Sequence, residues 1–305
     1  MNFLSKWFYH TWNIGFIENN INNVILNDDT EFEVNWLKHK YKDRFFADPF
    51  ILSINNDTIS VLVEDFPYWS KKGLISLLTI SRRDYSLISK KVILRKPFHM
   101  SYPFVQRNDD GCVKWVAPEA SMSGNLYRYK FNAEKLMLMD PEVLVPEPLV
   151  DSTIIKYNER YWLFCTKRGE DSNSSLYIYY SYTPEGPWME HKNNPVIHDA
   201  MSARPAGSVV EIDKTLYRVT QKCDVRYGES IMVSRIDTLS ECDFKEVHLK
   251  EIRPKVSRYS HSFHTINGLD NICVVDGLTK ELAPFRRVVF ELINKLSFIW
   301  EKRNY

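Results

Sequence analysis

Three acidic residues stand at the edges of apolar, β-favouring segments, where an ordinary solvated carboxylate is not expected. Asp48 lies between apolar residues in FFADPF, Glu119 lies in VAPEAS, and Asp151 opens an apolar run in VDSTIIKY. Two carboxyls that converge in a cleft can work on a glycosidic bond, one as a general acid and the other as a base or nucleophile. Acidic residues also end strands simply because they suit turns, so each of the three has a structural alternative.

The elements that must position these acids repeat along the chain with a period of about 50 residues. Five segments share a polar start, a β-favouring run, a turn and a second β-favouring run, and their starts lie 53, 50, 53 and 57 residues apart. The starts are Asp48, Ser101, Asp151, Arg204 and His261. A period of this length, with about four strands per unit, is typical of a propeller blade. We therefore predict an all-β fold, a five-bladed β-propeller over residues 1–277, in which TWNIGFI from Thr11 closes the ring; a two-sheet sandwich is the alternative.

Turn residues at the centre of each segment predict one hairpin per blade, at residues 55–57, 108–111, 158–159, 213–214 and 267–268, the last within a turn that spans residues 267–271. A hairpin brings the start of its first strand beside the end of its second. The predicted neighbours are Asp48 with Glu64 and Asp65, Tyr102 with Glu119, Asp151 with Thr166 and Lys167, Arg204 with Gln221, and His261 with Asp276. Because the innermost strands of a propeller start at one mouth of the central channel, we expect these polar ends to share one rim.

Aromatic and cationic residues near the same rim predict a site for sugars and anions. Tyr and Trp side chains stack on sugar rings, and the Arg204 guanidinium, among small residues in ARPAG, needs either a structural carboxylate or a substrate anion. Cations that could meet the phosphates of an activated sugar are Lys167, Arg168, Arg204, Lys222 and Arg226. His264 is either a ligand contact near the axis or a core histidine. The predicted substrate-binding residues are Glu64, Asp65, Trp69, Tyr102, Lys167, Arg204, Gln221, Tyr227, His264 and Asp276.

Residues 278–305 form a second segment with a different pattern. From Pro284 the apolar residues recur at helical spacing, which predicts an amphipathic helix. Packing against the propeller is the favoured role of this helix. Docking on a membrane surface or a partner is the alternative, because the segment also carries several basic residues.

Composition excludes several classes of function. The 40 Lys and Arg nearly balance 39 Asp and Glu, so no overall positive field would recruit nucleic acid. No apolar run is long enough for a transmembrane helix, and the N-terminus lacks the pattern of a secretory signal. These features predict a cytoplasmic protein, or one peripheral to the inner face of the membrane. The five Cys include no C-x-x-C pair, so we predict reduced core cysteines and no metal site.

The chain resembles the clan of five-bladed glycoside hydrolases that includes families 43, 32 and 68. It is more closely similar to the propeller domain that accompanies plant glucosamine inositolphosphorylceramide transferases and occurs in bacterial surface-polysaccharide gene clusters. The motifs that carry the resemblance are FFADPFIL (45–52), LVED (62–65), SYPFV (101–105), APEAS (117–121), DST (151–153), RYWLF (160–164), LYIYYSYTPEGPW (176–188), ARPAG (203–207) and FHT (263–265). Together they cover roughly residues 12–277.

The resemblance implies roles for individual residues. Asp48 corresponds to the base or nucleophile of the hydrolase clan, Asp151 to the acid that orients its partners, and His264 to a histidine that holds a bound ion or water. No other cofactor is implied. The general-acid Glu of family 43 has no counterpart, because ARPAG occupies its position, and Glu119 is the best local substitute.

The candidate site residues and the resemblance are compatible with three functions. The favoured one is a glycosyltransferase that moves a sugar, by analogy with the clan a furanosyl or fructosyl unit, from an activated donor to a surface-polysaccharide or glycolipid acceptor. The alternatives are an intracellular glycoside hydrolase acting through the same residues and a non-catalytic propeller that binds glycans.

Overall fold

Runs rich in Val, Ile, Leu and aromatic residues form the strands of this protein, and Asn, Asp and Gly turn the chain between them. The computed structural model describes residues 8–282. Its strands form five sheets, each of four or five strands. These sheets are the blades of an all-β propeller, as the repeat predicts. Regular helix within the described range is limited to α1 and one short 3-10 turn.

The elements follow one another in chain order. The N-terminal part contains β1 (Phe8–Ile17), α1 (Ile21–Leu26), β2 (Glu31–Phe32) and β3 (Asn35–Trp36). Blade I contains β4 (Arg44–Ile54), β5 (Thr58–Pro67), β6 (Leu74–Ser81) and β7 (Leu87–Leu94). Blade II contains β8 (Ser101–Arg107), β9 (Val113–Glu119), β10 (Leu126–Asn132) and β11 (Met137–Val145).

The remaining blades use both ends of the chain. Blade III contains β12 (Leu149–Tyr157), β13 (Arg160–Lys167), β14 (Ser175–Ser181), β15 (Met189–Glu190) and β16 (Ile197–His198). Blade IV contains β17 (Val210–Ile212), β18 (Thr215–Lys222), β19 (Ser230–Leu239) and β20 (Phe244–Pro254), with β2 at its outer edge. Blade V combines β21 (Ile266–Leu269) and β22 (Ile272–Leu282) with β1 and β3.

The first and last strands of the described chain close the ring. β1 pairs with β22 in antiparallel register from Phe8 opposite Leu282 to Ile17 opposite Cys273, so the predicted closing strand is confirmed. Because β1 holds β22 along this whole length, β22 continues past the predicted boundary at residue 277. The predicted helix from Pro284 lies outside the described residues. Within residues 8–282, no helix is both long and apolar enough to cross a bilayer.

Four of the five predicted turn centres are confirmed; in the last hairpin the turn lies within the predicted span 267–271 but not at residues 267–268. In blade V the turn falls at residues 270–271, between β21 and β22. Asn267 stays in β21, where its side chain accepts from Ser208 N–H (3.0 Å) and donates to the Pro49 carbonyl (3.0 Å). The later turn shifts the pairing, so His261 N–H donates to the Leu278 carbonyl (3.0 Å) and His261 is not the neighbour of Asp276.

The core consists of apolar clusters between neighbouring blades. Val61 and Ile14 belong to the cluster between blades I and V, and Leu62, on the other face of β5, belongs to the cluster between blades I and II. Alternate side chains of a strand therefore serve two different interfaces. The prediction that all the cysteines are core residues is wrong: Cys112 and Cys242 are exposed, because they lie in loops, although all five are free thiols as expected.

Candidate active site

The first strands of blades I, II and III share a β-bulge that aims one side chain out of the regular alternation. Strand pairing shifts after Ala47, Ser101 and Val150. The residues that follow have left-handed backbones: φ is 49° at Asp48, 40° at Tyr102 and 48° at Asp151. Non-glycine residues in this region carry strain of about 1 kcal/mol or more and concentrate at functional sites. The bulges place these three residues against side chains of the neighbouring blades.

Asp48, on blade I, is held by blades II and V. Its Oδ2 accepts from Tyr102 N–H (3.2 Å), and its own N–H donates to Asp276 Oδ2 (2.9 Å). Nδ1 of His264 lies 2.7 Å from Asp276 Oδ1, and Nε2 of His264 lies 3.4 Å from Asp48 Oδ1. The three buried side chains form a continuous line, Asp276 to His264 to Asp48, across the gap between two blades.

Asp151, on blade III, faces the loop that precedes blade IV. Its Oδ2 accepts from Arg204 Nε (2.7 Å) and Gln221 Nε2 (2.9 Å). Gln221 N–H also donates to the Arg204 carbonyl, which confirms the predicted neighbours. Arg204 therefore has a structural carboxylate partner. A second bond, from Arg204 Nη1 to Asn173 Oδ1 (2.8 Å), fixes the plane of the guanidinium.

Glu119 ends β9 beside this ion pair and is half-buried. Its carboxylate accepts hydrogen bonds from Ser101 Oγ (3.2 Å) and Ser121 Oγ (2.6 Å). Burial, reinforced by the negative charge of Asp151, raises the pKa of Glu119 to about 7, even though Arg204 acts in the opposite direction. A substantial share of Glu119 is therefore protonated at neutral pH, as a general acid requires.

Burial also dominates the chemistry of Asp48 and its neighbours. It raises the pKa of Asp48 to about 7, with the charge of His264 opposing and the charges of Asp151 and Asp276 adding to the rise. Burial alone would lower the pKa of His264, but Asp276 and Asp48 raise it above its usual value. Charged imidazole next to Asp48 favours the carboxylate form that a base needs.

Glu64 is a further buried acid of the cluster. Burial, followed by repulsion from Asp48, raises its pKa well above the usual range. His99 Nδ1 accepts from Gly73 N–H (2.8 Å), which leaves the proton of the neutral ring on Nε2, 3.6 Å from Glu64 Oε1. The lowered pKa of His99, caused mainly by burial, agrees with this neutral form.

The donor set around His264 bears on the ion that the resemblance implies. Ligand-type atoms of Asp48, His264 and Asp276 lie within 4.8 Å of one another. Nδ1 of His264 contacts Asp276, so Nε2, which faces Asp48 Oδ1, is the ring nitrogen that would hold an ion or water. The same donor set also fits an imidazolium placed between two carboxylates.

Aromatic rings surround the same residues. Trp12 stacks on the His264 ring with centroids 4.0 Å apart. Tyr227 contacts the same imidazole edge-on, with centroids 5.4 Å apart. The guanidinium of Arg204 lies over the Tyr227 ring at 5.1 Å. Trp69 follows β5 and is 42% exposed, so its indole is accessible to a ligand.

Two predicted site residues are engaged elsewhere. Asp65 lies on the face of β5 opposite Glu64 and is paired with Arg44 (3.1 Å) and Lys90 (2.8 Å). Lys167 pairs with Glu147 (2.6 Å) and lies over the Tyr177 ring (4.5 Å). Within residues 8–282, neither side chain contacts the Asp48 or Asp151 groups, because adjacent strand residues point to opposite faces.

Sequence reasoning missed Trp12, His99 and Asn173. His99 and Asn173 lie in connections between strands, which a hairpin register does not place. Trp12 could have been found, because it belongs to the segment predicted to close the ring beside the last blade.

Comparison with known proteins gives one family and one fold. Residues 33–271 match the family described as "Glucosamine inositolphosphorylceramide transferase 1, N-terminal". The chain is 31% identical over 212 residues to glucosamine inositolphosphorylceramide transferase 1 of Oryza sativa subsp. japonica, covering 68% of this chain and 28% of that protein. The Arabidopsis thaliana protein of the same name is 33% identical over 210 residues, covering 67% of this chain and 27% of that protein. This chain thus spans little more than a quarter of these relatives.

Among solved structures, a thermostable family-43 glycoside hydrolase superposes with a TM-score of 0.52 at 15% identity, over 70% of this chain and 81% of that one. At this identity the similarity concerns the fold alone.

Proposed function

Because the chain belongs to the family of glucosamine inositolphosphorylceramide transferase 1 N-terminal domains, we propose that it is a glycosyltransferase. The proposed reaction moves a sugar from an activated donor to a surface-polysaccharide or glycolipid acceptor. The observation that carries the proposal is the pair of carboxyls, buried Asp48 and half-buried Glu119, which belong to one charged cluster around Asp151 and whose pKa values both rise to about 7. Such a pair supplies a base and an acid at the same pH.

In the proposed step, Asp48 accepts the proton of the acceptor hydroxyl. The acceptor oxygen forms a bond to the anomeric carbon as the bond from that carbon to the donor's leaving oxygen breaks. The electron pair of the broken bond stays with the leaving oxygen, which takes the proton of Glu119. Solvent then returns a proton to Glu119 and removes one from Asp48. His264 and Arg204 balance the charges of the carboxylates around this step.

We propose a furanosyl or fructosyl donor sugar, by analogy with the hydrolase clan, and a cytoplasmic location with peripheral contact to the membrane. A glycoside hydrolase is the second candidate, since the fold is shared with a family-43 enzyme and the same two carboxyls could direct water to the sugar.

The test is an activity screen with nucleotide sugars and lipid diphosphate sugars, glycan and glycolipid acceptors, and mass detection of products. We expect transfer with one donor class, and a loss of at least about a hundredfold in Asp48→Asn, because general base catalysis contributes about that much or more. Asp57→Asn, an exposed carboxylate in the turn of the same blade, is the matched control. Release of free sugar without acceptor would support the hydrolase, and glycan affinity without turnover would support a binding module.

A further inference from the structure

A pocket of about 410 Å³ opens beside Glu119, between blades II and III and the loop before blade IV. Its polar lining consists of Glu119, Ser121, Arg168, Gly169, Ser172 and Arg204. Its volume is in the range of sites that bind small molecules. Since Glu119 is the acid of the proposed reaction, whatever occupies this pocket lies next to the leaving oxygen.

The positive charges of this rim differ in how far they are already neutralised. Lys222 pairs with Glu251 (3.4 Å), and Arg226 pairs with Glu229 (3.3 Å). Lys167, as described above, pairs with Glu147. Arg168 is exposed, and no described carboxylate lies within ion-pair distance of its guanidinium. Its backbone N–H donates to the Pro148 carbonyl (2.9 Å), so the base of the side chain is anchored at the pocket wall.

Arg204, which also lines the pocket, adds a second donor. Its Nε and Nη1 are bound to Asp151 and Asn173, but among the described residues Nη2 has no hydrogen-bond partner. The pocket thus combines the guanidinium of Arg168, which has no carboxylate partner among the described residues, with a free N–H donor on the firmly held guanidinium of Arg204. Arginine forks of this kind match the oxygens of phosphates.

We propose that this pocket binds the diphosphate of the sugar donor, with Arg168 as its main cation and Arg204 Nη2 as a second donor. This inference rests on the proposed transferase function and assigns the leaving group to a place. The two guanidiniums stabilise the negative charge that develops on the leaving diphosphate when the bond to the anomeric carbon breaks. Glu119 adds no repulsion while it holds its proton, and the two guanidiniums offset the carboxylate charge that remains after the leaving oxygen has taken that proton. The diphosphate carrier is a nucleotide or a polyprenyl lipid.

The test measures binding of pyrophosphate, uridine diphosphate and farnesyl diphosphate to the full chain by titration calorimetry. In Arg168→Gln we expect at least about tenfold weaker binding, since a charge-assisted hydrogen bond contributes that much or more. Arg160→Gln, at the start of the strand that Arg168 follows and paired with Glu241 (2.7 Å), is the matched control. Stronger binding of uridine diphosphate or of farnesyl diphosphate than of pyrophosphate identifies the carrier.

Equal affinity of Arg168→Gln and wild type, or no diphosphate binding in wild type, would overturn the proposal. Sugar-transfer assays distinguish failure of this inference from failure of the proposed function. Sugar transfer with an unchanged donor KM in Arg168→Gln would retain the transferase and remove this pocket from it. Diphosphate binding that is sensitive to Arg168, in a protein that transfers no sugar, would retain the pocket and remove the transferase.

Discussion

Replacing Asp48 by Asn should stabilise the protein at alkaline pH. Asn keeps the shape of the side chain and can still accept from Tyr102 N–H. It is also, with Asp, a residue that tolerates the left-handed backbone at this position. The substitution therefore removes a buried negative charge with little change in packing.

The sign and size follow from the pKa of Asp48, which is about 7 in the folded protein against an ordinary 3.8. The folded state holds this proton more tightly than the unfolded state, so stability falls as pH rises from about 4 to about 7. A rise of about 3 units corresponds to about 4 kcal/mol. At pH 8 the free energy of unfolding of Asp48→Asn should exceed that of wild type by up to this amount. Near pH 4 the difference between the two should disappear.

Urea unfolding at pH 4, 6 and 8 measures the difference. Asp57→Asn, in the exposed turn of the same blade, should show no comparable pH dependence. Asp48→Ala should gain less than Asp48→Asn, because alanine is strained at positive φ. An Asp48→Asn variant that is less stable than wild type at pH 8 would refute the reasoning. The charge of Asp48 would then be stabilised in the folded state by its neighbours.

Two further predictions concern the supports of the site. Asp276→Asn should lower the pKa of His264, because the carboxylate at Nδ1 is what raises it; an NMR titration of the ring that shows no fall would contradict this. Gly73→Ala should cost about 1–3 kcal/mol in unfolding free energy, since a Cβ would lie 2.4 Å from the Met100 carbonyl oxygen. Gly111→Ala has open space and should lose only about 1 kcal/mol through its positive φ, so equal losses would contradict the steric argument.

The sequence was informative wherever local turn chemistry determines the structure. Residues 158–159 and 213–214 adopt left-handed backbones at the centres of their hairpins, as Asn- and Asp-led turns do. These turns fixed the register that places Gln221 beside Arg204. The predicted turn position in blade V was wrong because Asn267, a typical turn residue, instead contacts Pro49 of blade I and Ser208 before blade IV.

The bulges could not be predicted, because their cause is tertiary. A register count puts Asp48 directly opposite Glu64 or Asp65, yet Ala47 pairs with Glu64 and Asp48 turns aside toward blades II and V. The choice between Glu64 and Asp65 was equally hidden. Two adjacent acids look alike in sequence, but strand alternation gives one to the axial cluster and the other to Arg44 and Lys90.

Ring closure by β1 and β22 has a consequence for how the protein is made. The ribosome produces β1 first, and its partner only after more than 250 further residues, so the closing ladder is a contact of extreme sequence separation. Asp276, which receives the Asp48 N–H and positions His264, lies in that last strand. A nascent chain therefore cannot complete the candidate active site until synthesis has passed β22. The strand that closes the ring is therefore also the strand that completes the candidate active site.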